Sequence, residues 1–159
     1  MGVSGVGKTT VGRLLADALN ADFAEGDAYH PPENVAKMQS GIPLEDTDRW
    51  PWLATLSREI GQWLDADQTV VLACSALKQS YRDILHGGRA GVRFVYLRGD
   101  ATLIRARLDE RRGHYMPASL LESQFGALEE PRDAICIDVA VTPEVIAAEI
   151  LAELQRADA

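Results

Sequence analysis

Gly2-Val3-Ser4-Gly5-Val6-Gly7-Lys8-Thr9 decides the reading of this 159-residue chain. It fits the phosphate-binding pattern G-x-x-x-x-G-K-[ST] at every fixed position. Glycine tolerates backbone dihedrals that side chains forbid, so successive N–H groups can turn into one concavity. That concavity opens on the first turn of the following helix, whose orphan amides and dipole favour an anion. Lys8 is placed to reach the β- and γ-phosphates of a nucleotide, and the Thr9 hydroxyl to ligate Mg2+. With the adjoining Thr10, the run from Gly2 reads as a site for ATP or GTP.

A loop of this kind hangs from the C-terminal end of a buried parallel strand. Only Met1 stands ahead of Gly2. The first strand of the sheet is therefore missing from this chain, and several more apolar residues are expected ahead of Met1 in the native protein.

Downstream, strands and helices alternate. From Gly7 to about Asn20, Val11, Leu14, Leu15, Ala18 and Leu19 share one helical stripe. Strands are expected over 21–24, 69–74, 92–97 and 134–138, the second a continuous apolar run covered on both faces. Helices are expected over 33–40, closed by Gly41, over 50–65, around Tyr81 and Arg82, over 100–111 and over 118–128. A last helix follows Thr142-Pro143-Glu144, a cap, an N1 proline and an acidic first turn. This order gives an α/β fold, a parallel sheet with helices on both faces. Residues 28 to 66 form a helical insertion between two strands. Glu25 and Asp27 stand just past a strand end, where open α/β sheets bind ligands.

Composition narrows the alternatives. The length suits one domain, and 47% apolar with 25% charged residues is ordinary for a globular protein. A net charge of −8 argues against a general nucleic-acid or acidic-membrane surface. No apolar run approaches the roughly 20 residues that span a bilayer. Cys74 and Cys136 lie in apolar runs and read as reduced core residues of a cytoplasmic protein. Trp50, Trp52 and Trp63 read as packing residues.

Several stretches together are far more specific than the phosphate loop. These are Gly26-Asp27 through His30-Pro31, Asn34 to Met38, Ser40-Gly41-Ile42-Pro43-Leu44, and Asp46-Thr47-Asp48-Arg49-Trp50-Pro51-Trp52-Leu53. Ala73-Cys74-Ser75-Ala76-Leu77-Lys78 with Tyr81-Arg82, and His114-Tyr115-Met116-Pro117 with Leu120-Leu121 and Ser123-Gln124, complete the set. With these the chain resembles, almost end to end, gluconokinase of the small thermoresistant bacterial type. The resemblance implies a three-layer P-loop kinase fold akin to shikimate kinase, ATP and Mg2+, a homodimer, and transfer of the γ-phosphoryl group to the 6-hydroxyl of D-gluconate. Glu25 departs from it, standing where the family usually has Asp.

Phosphoryl transfer asks a protein mainly to position groups and to neutralise charge. Lys8 serves the phosphates, and Asp27 is the expected orienter or general base for the acceptor hydroxyl. An anionic polyol needs a cation and several polar groups. Arg49 and Lys78 are the chosen cations, with His30, Ser75, Arg82 and His114 as further substrate contacts. Arg107, Arg111 and Arg112 precede a glycine break that suits a mobile lid over about 109–119. Arg111, nearest the break, is chosen as the arginine that closes on the phosphates. The alternatives are a same-fold kinase acting on another small hydroxy acid such as shikimate, and a catalytically silent nucleotide-binding module.

Overall fold

Short apolar runs become parallel strands here because helices cover them from both sides. The computed structural model describes residues 1–110 and 118–157. In chain order the elements are α1 (Lys8–Leu19), β1 (Asp22–Glu25), a 3-10 turn (Gly26–Tyr29), α2 (Pro32–Gln39), α3 (Asp46–Asp65) and β2 (Val70–Ala73). There follow α4 (Gln79–His86), β3 (Val95–Arg98), α5 (Ala101–Glu110), α6 (Ala118–Ala127), β4 (Ile135–Asp138) and α7 (Pro143–Ala157). One core joins Val3, Val6, Val11 and Leu15 to Leu97, Ile137, Ile146 and Ile150, with α1 against α7. The second joins Trp52, Leu53 and Leu56 of α3 to Tyr81 and Leu85 of α4.

Two boundaries and one burial expectation differ from the sequence reading. Helix α3 starts at Asp46 rather than near Trp50, because Glu45 and Asp48 form a reciprocal capping box that nucleates it four residues earlier. Pro51 lies inside the helix and does not break it. Strand β3 starts at Val95 rather than Val92, since its partner β4 begins at Ile135, directly opposite Val95. Cys74 is buried as expected, but Cys136 is exposed on β4.

The sheet is in two halves. β1 and β2 pair in parallel from Asp22↔Val70 to Glu25↔Ala73. β3 and β4 pair in parallel from Val95↔Ile135 to Arg98↔Asp138. Among the described residues no strand joins β2 to β3. Between them lies a cavity of about 420 Å3, lined by Val71 and Leu72 of β2, Val95 and Leu97 of β3, Leu15 of α1 and Trp63 of α3.

Met1 and Gly2 bridge the halves. The Met1 amino group donates to the Val95 carbonyl, and Leu97 N–H donates to Met1 O at 3.0 Å. This is the pair of bonds by which one residue of a parallel strand faces Tyr96. On the other side Gly2 N–H donates to Ser75 O at 3.1 Å. Burial, with help from Lys8, pushes the Met1 amine down to about 5, so it is neutral at pH 7. Burial likewise pushes the neighbouring Cys74 thiol up to about 11.

The loop that follows is pinned from a third direction by α6. Ser4 N–H donates to Gln124 Oε1 at 2.7 Å, and Gln124 Nε2 donates to Ser4 Oγ at 3.1 Å. One amide thus satisfies both the backbone and the side chain of a loop residue.

Two outcomes follow from these contacts. A buried neutral amine that is protonated when unfolded makes the unfolded chain hold more protons between about pH 5 and pH 8, so stability climbs with pH across that window. A chain lengthened by five apolar residues ahead of Met1 turns that amine into an amide and places apolar side chains beside the cavity. Thermal melting should show this part of the pH slope vanish and the midpoint rise by roughly 5 °C or more; equal melting curves for both chains would contradict this. Replacing Gln124 by Ala leaves the Ser4 amide without its acceptor, and the ATP dissociation constant measured by calorimetry should rise about tenfold. An unchanged constant would show that the loop holds its shape without this amide.

Candidate active site

The phosphate loop owes its shape to left-handed backbone. Gly7 caps α1 at φ 95°, and Gly5 stands at φ 88°. At Gly5 a Cβ would also lie 2.9 Å from Leu108 and 3.0 Å from Ile104, so α5 packs directly on the loop. Val3 and Val6 are buried and anchor the turn, while Thr9 and Thr10 on the first turn of α1 are exposed. Lys8 Nζ donates to Gly2 O at 3.0 Å and to Val3 O at 2.9 Å, which lays the ammonium across the mouth of the loop. Thr9 Oγ1 donates to Glu25 Oε2 at 2.7 Å. One hydroxyl and one carboxylate at the start of α1 are hard oxygen donors, the kind that suit Mg2+ when phosphates and water complete its shell.

A second cavity, also about 420 Å3, opens between the start of α3, the start of α4 and α6. Its walls are Leu44, Glu45, Asp46, Thr47 and Arg49, with Lys78, Ser123 and Ala127 opposite. Lys78 Nζ donates to both Asp46 oxygens, at 2.8 and 2.9 Å, and the Tyr81 hydroxyl donates to Asp46 Oδ1. These bonds hold the Asp46 carboxyl below its ordinary range and lift Lys78 above its own. Arg49 donates to Leu44 O and lies over the Tyr81 ring, 5.6 Å from its centroid. Among the described residues no carboxylate pairs with Arg49 within 4 Å. Ser123 in this wall immediately precedes Gln124, so α6 links the pocket to the phosphate loop.

Asp27 projects from the 3-10 turn after β1, its side chain 68% exposed. Beside it His30 is packed away, its side chain 4% exposed, with Nε2 3.9 Å from Asp27 Oδ1. The imidazole stacks on Trp52, ring centroids 4.2 Å apart, and Trp52 Nε1 donates to Gly26 O at 2.8 Å. Helix α3 therefore supports the turn that carries Asp27. Behind the ring, Asn34 Nδ2 lies 3.2 Å from His30 Nδ1 and 2.8 Å from Asp48 O. Asp48 accepts from Lys37 Nζ at 2.7 and 2.9 Å, and those bonds lower its carboxyl pKa. Burial lowers the His30 pKa, Asp27 opposes that shift and Arg49 adds to it, so the ring is neutral at pH 7.

Not every residue expected from sequence meets here. Arg49 and Lys78 line the second cavity together, and Asp27 and His30 stand side by side. Ser75 lies against the phosphate loop, with its carbonyl bonded to Gly2. Arg82 is 2% exposed and its guanidinium donates to Ala76 O, Leu77 O and Gln79 Oε1. It holds the turn after β2, where Ala76 has φ 44°, instead of facing a substrate. Arg107 donates to Val139 O at 2.6 Å, at the end of β4. Arg111 and His114 lie outside the described residues, as does most of the expected lid. Trp52 and Trp63 pack as expected, while Trp50 is partly exposed and meets the Tyr81 ring edge-on. Asn34, Asp46 and Gln124 also stand here; from sequence all three lie in the stretches that carry the family resemblance, Gln124 as a lid-closing or substrate-facing candidate and Asn34 and Asp46 without an assigned role.

Comparison with known proteins agrees with this geometry. The Shikimate kinase family model matches residues 4–155. The gluconokinase of Gluconobacter oxydans is 45% identical over 161 aligned positions, covering 99% of this chain and 90% of that protein. The thermosensitive gluconokinase of Escherichia coli K12 is 47% identical, covering 87% of this chain and 76% of that protein. The crystal structure of a gluconokinase from Sinorhizobium meliloti superposes with a TM-score of 0.89 at 48% identity, covering 98% of this chain and 89% of that one. With the family model matching residues 4–155 and relatives 45–48% identical across most of the chain, the chain belongs to the gluconokinase family of shikimate-kinase-like P-loop enzymes.

Proposed function

We propose that the chain transfers the γ-phosphoryl group of ATP to the 6-hydroxyl of D-gluconate, giving 6-phospho-D-gluconate and ADP. The observation that carries this reading is the acceptor pocket. It brings two cations, Arg49 and Lys78, together with Glu45 and Asp46, and α6 ties it to the phosphate loop.

The chemistry divides among these residues. The loop amides and Lys8 meet the phosphate oxygens, where charge is spread in the transition state. Arg49, with no carboxylate of its own among the described residues, takes the gluconate carboxylate. Lys78, Asp46 and Tyr81 already form a hydrogen-bonded set and offer donors and acceptors to the polyol. Asp27 accepts the proton of the 6-hydroxyl as its oxygen bonds to the γ-phosphorus and the bond to the β,γ-bridging oxygen breaks. Thr9 and Glu25 are the residues that would hold Mg2+, which when bound neutralises phosphate charge. Arg111 and His114 belong to this reading as the lid arginine and a further substrate contact. No described helix is long and apolar enough to cross a membrane. The cytoplasmic setting and the homodimer are carried by the family resemblance.

The test is ADP release with Mg-ATP against D-gluconate, shikimate and other sugar acids. Turnover on gluconate well above the others is expected; equal or greater turnover on shikimate would replace the substrate, and no acceptor-stimulated release would leave a nucleotide-binding module. Replacing Arg49 by Met should raise the gluconate KM by roughly 10- to 100-fold, the worth of a charged hydrogen-bond pair, with little change in the ATP KM. Replacing Asp27 by Asn should lower kcat by roughly 10²- to 10⁴-fold at unchanged melting temperature. A wild-type kcat in that variant would remove Asp27 as the base.

A further inference from the structure

We propose that His30 is a positioning residue for the reaction, held by Asn34 as the neutral tautomer that carries its proton on Nε2 and turns that N–H toward the Asp27 carboxylate. The inference rests on the reading of Asp27 as the group that accepts the hydroxyl proton.

Asp48 O is a backbone carbonyl, so the Asn34 atom 2.8 Å from it is the amide nitrogen. That nitrogen has a second hydrogen, and His30 Nδ1 lies 3.2 Å away. Nδ1 must then present its lone pair, and a neutral imidazole that accepts at Nδ1 is protonated at Nε2. The direction is fixed because Asn34 is 3% exposed and α2 and α3 hold it from either side.

The ring itself has little room to turn. It stacks on Trp52 at an interplanar angle of 17°, and Pro31 after it keeps the His30 backbone extended, at φ −66° and ψ 136°. Nε2 is therefore delivered to one place, 3.9 Å from Asp27 Oδ1. That separation exceeds a hydrogen bond, and the side chain with freedom to close it is the exposed Asp27. When the two meet, Nε2–H occupies one lone pair of Asp27 and fixes the direction in which the remaining oxygen faces the acceptor hydroxyl.

Burial favours the same state, outweighing the charges that face the ring: Asp27 favours a cation and Arg49, to a lesser degree, opposes one. The Asp48 carboxylate beyond Asn34 is engaged by Lys37. Protonating His30 would place a hydrogen on Nδ1 against the amide hydrogen of Asn34, so the contact selects against the imidazolium.

Two measurements on the full chain test this. Nitrogen-15 NMR of the ring should show the Nε2–H tautomer, with His30 still neutral below its ordinary pKa of 6.5. A ring protonated at Nδ1 at pH 7 would overturn the proposal whatever the role of Asp27. In steady-state kinetics, His30→Phe keeps a ring on Trp52 and removes the donor; kcat should fall tenfold or more while the ATP KM and melting temperature hold. His30→Gln places an amide N–H near the position of Nε2 and should recover most of that loss. In an Asp27→Asn background the His30→Phe substitution should cost nothing further. A full additional loss there, or equal kcat for the Phe and Gln variants, would show that His30 does not act through Asp27. If Asp27→Asn alone keeps full kcat, the base assignment falls while the NMR result still decides the tautomer.

Discussion

Three sets of hydrogen bonds hold the phosphate loop, and everything catalytic hangs from them. Gly2 N–H reaches Ser75 beyond β2, Met1 meets both Val95 and Leu97 of β3, and Ser4 is gripped by Gln124 of α6. A run of amides converging on an anion repels itself unless its backbone is fixed from outside. Here the fixing groups come from both half-sheets and from a helix that also walls the acceptor pocket. The phosphate loop and the second cavity therefore share one support, α6.

The turn that carries Asp27 rests on a different device, a chain of part-buried polar contacts that starts at Lys37 and ends at the exposed Asp27. Lys37 holds Asp48, the Asp48 carbonyl holds Asn34, Asn34 faces His30, and His30 faces Asp27. Asp48 also caps α3 through Glu45. The same residue thus fixes where the helix starts and which way an amide points two steps from the Asp27 carboxylate. Capping, ordinarily a matter of stability, here becomes part of how the site is aimed.

Much of this was legible in the sequence, and what was not has physical causes. The phosphate loop announces itself because glycine and Gly-Lys positions answer to backbone geometry and to phosphate chemistry at once. The parallel α/β order was readable from apolar runs alternating with helical stripes. The start of α3 was misjudged because Glu45 and Asp48 looked like a charged loop until their reciprocal bonds were seen. The start of β3 differs because Val92-Arg93-Phe94 alternates apolar and polar as a strand does, yet the pairing with β4 begins only at Val95. Arg82 resembled a ligand by residue type, whereas its burial and three acceptors make it a brace for the turn at Ala76. Gln124 was legible only through the family resemblance, and its bond to the phosphate loop was not, since its partner Ser4 is 120 residues away.

The account stands or falls on which hydroxyl receives phosphate. Phosphorus-31 NMR of the product from Mg-ATP and D-gluconate, recorded with proton coupling, decides it directly. Phosphate on the 6-hydroxyl is bonded through a methylene carbon, so the new phosphomonoester signal should be split into a triplet by two protons. A doublet would place the phosphate on a secondary hydroxyl, and inorganic phosphate as the sole product would mean that water, not the sugar acid, receives it.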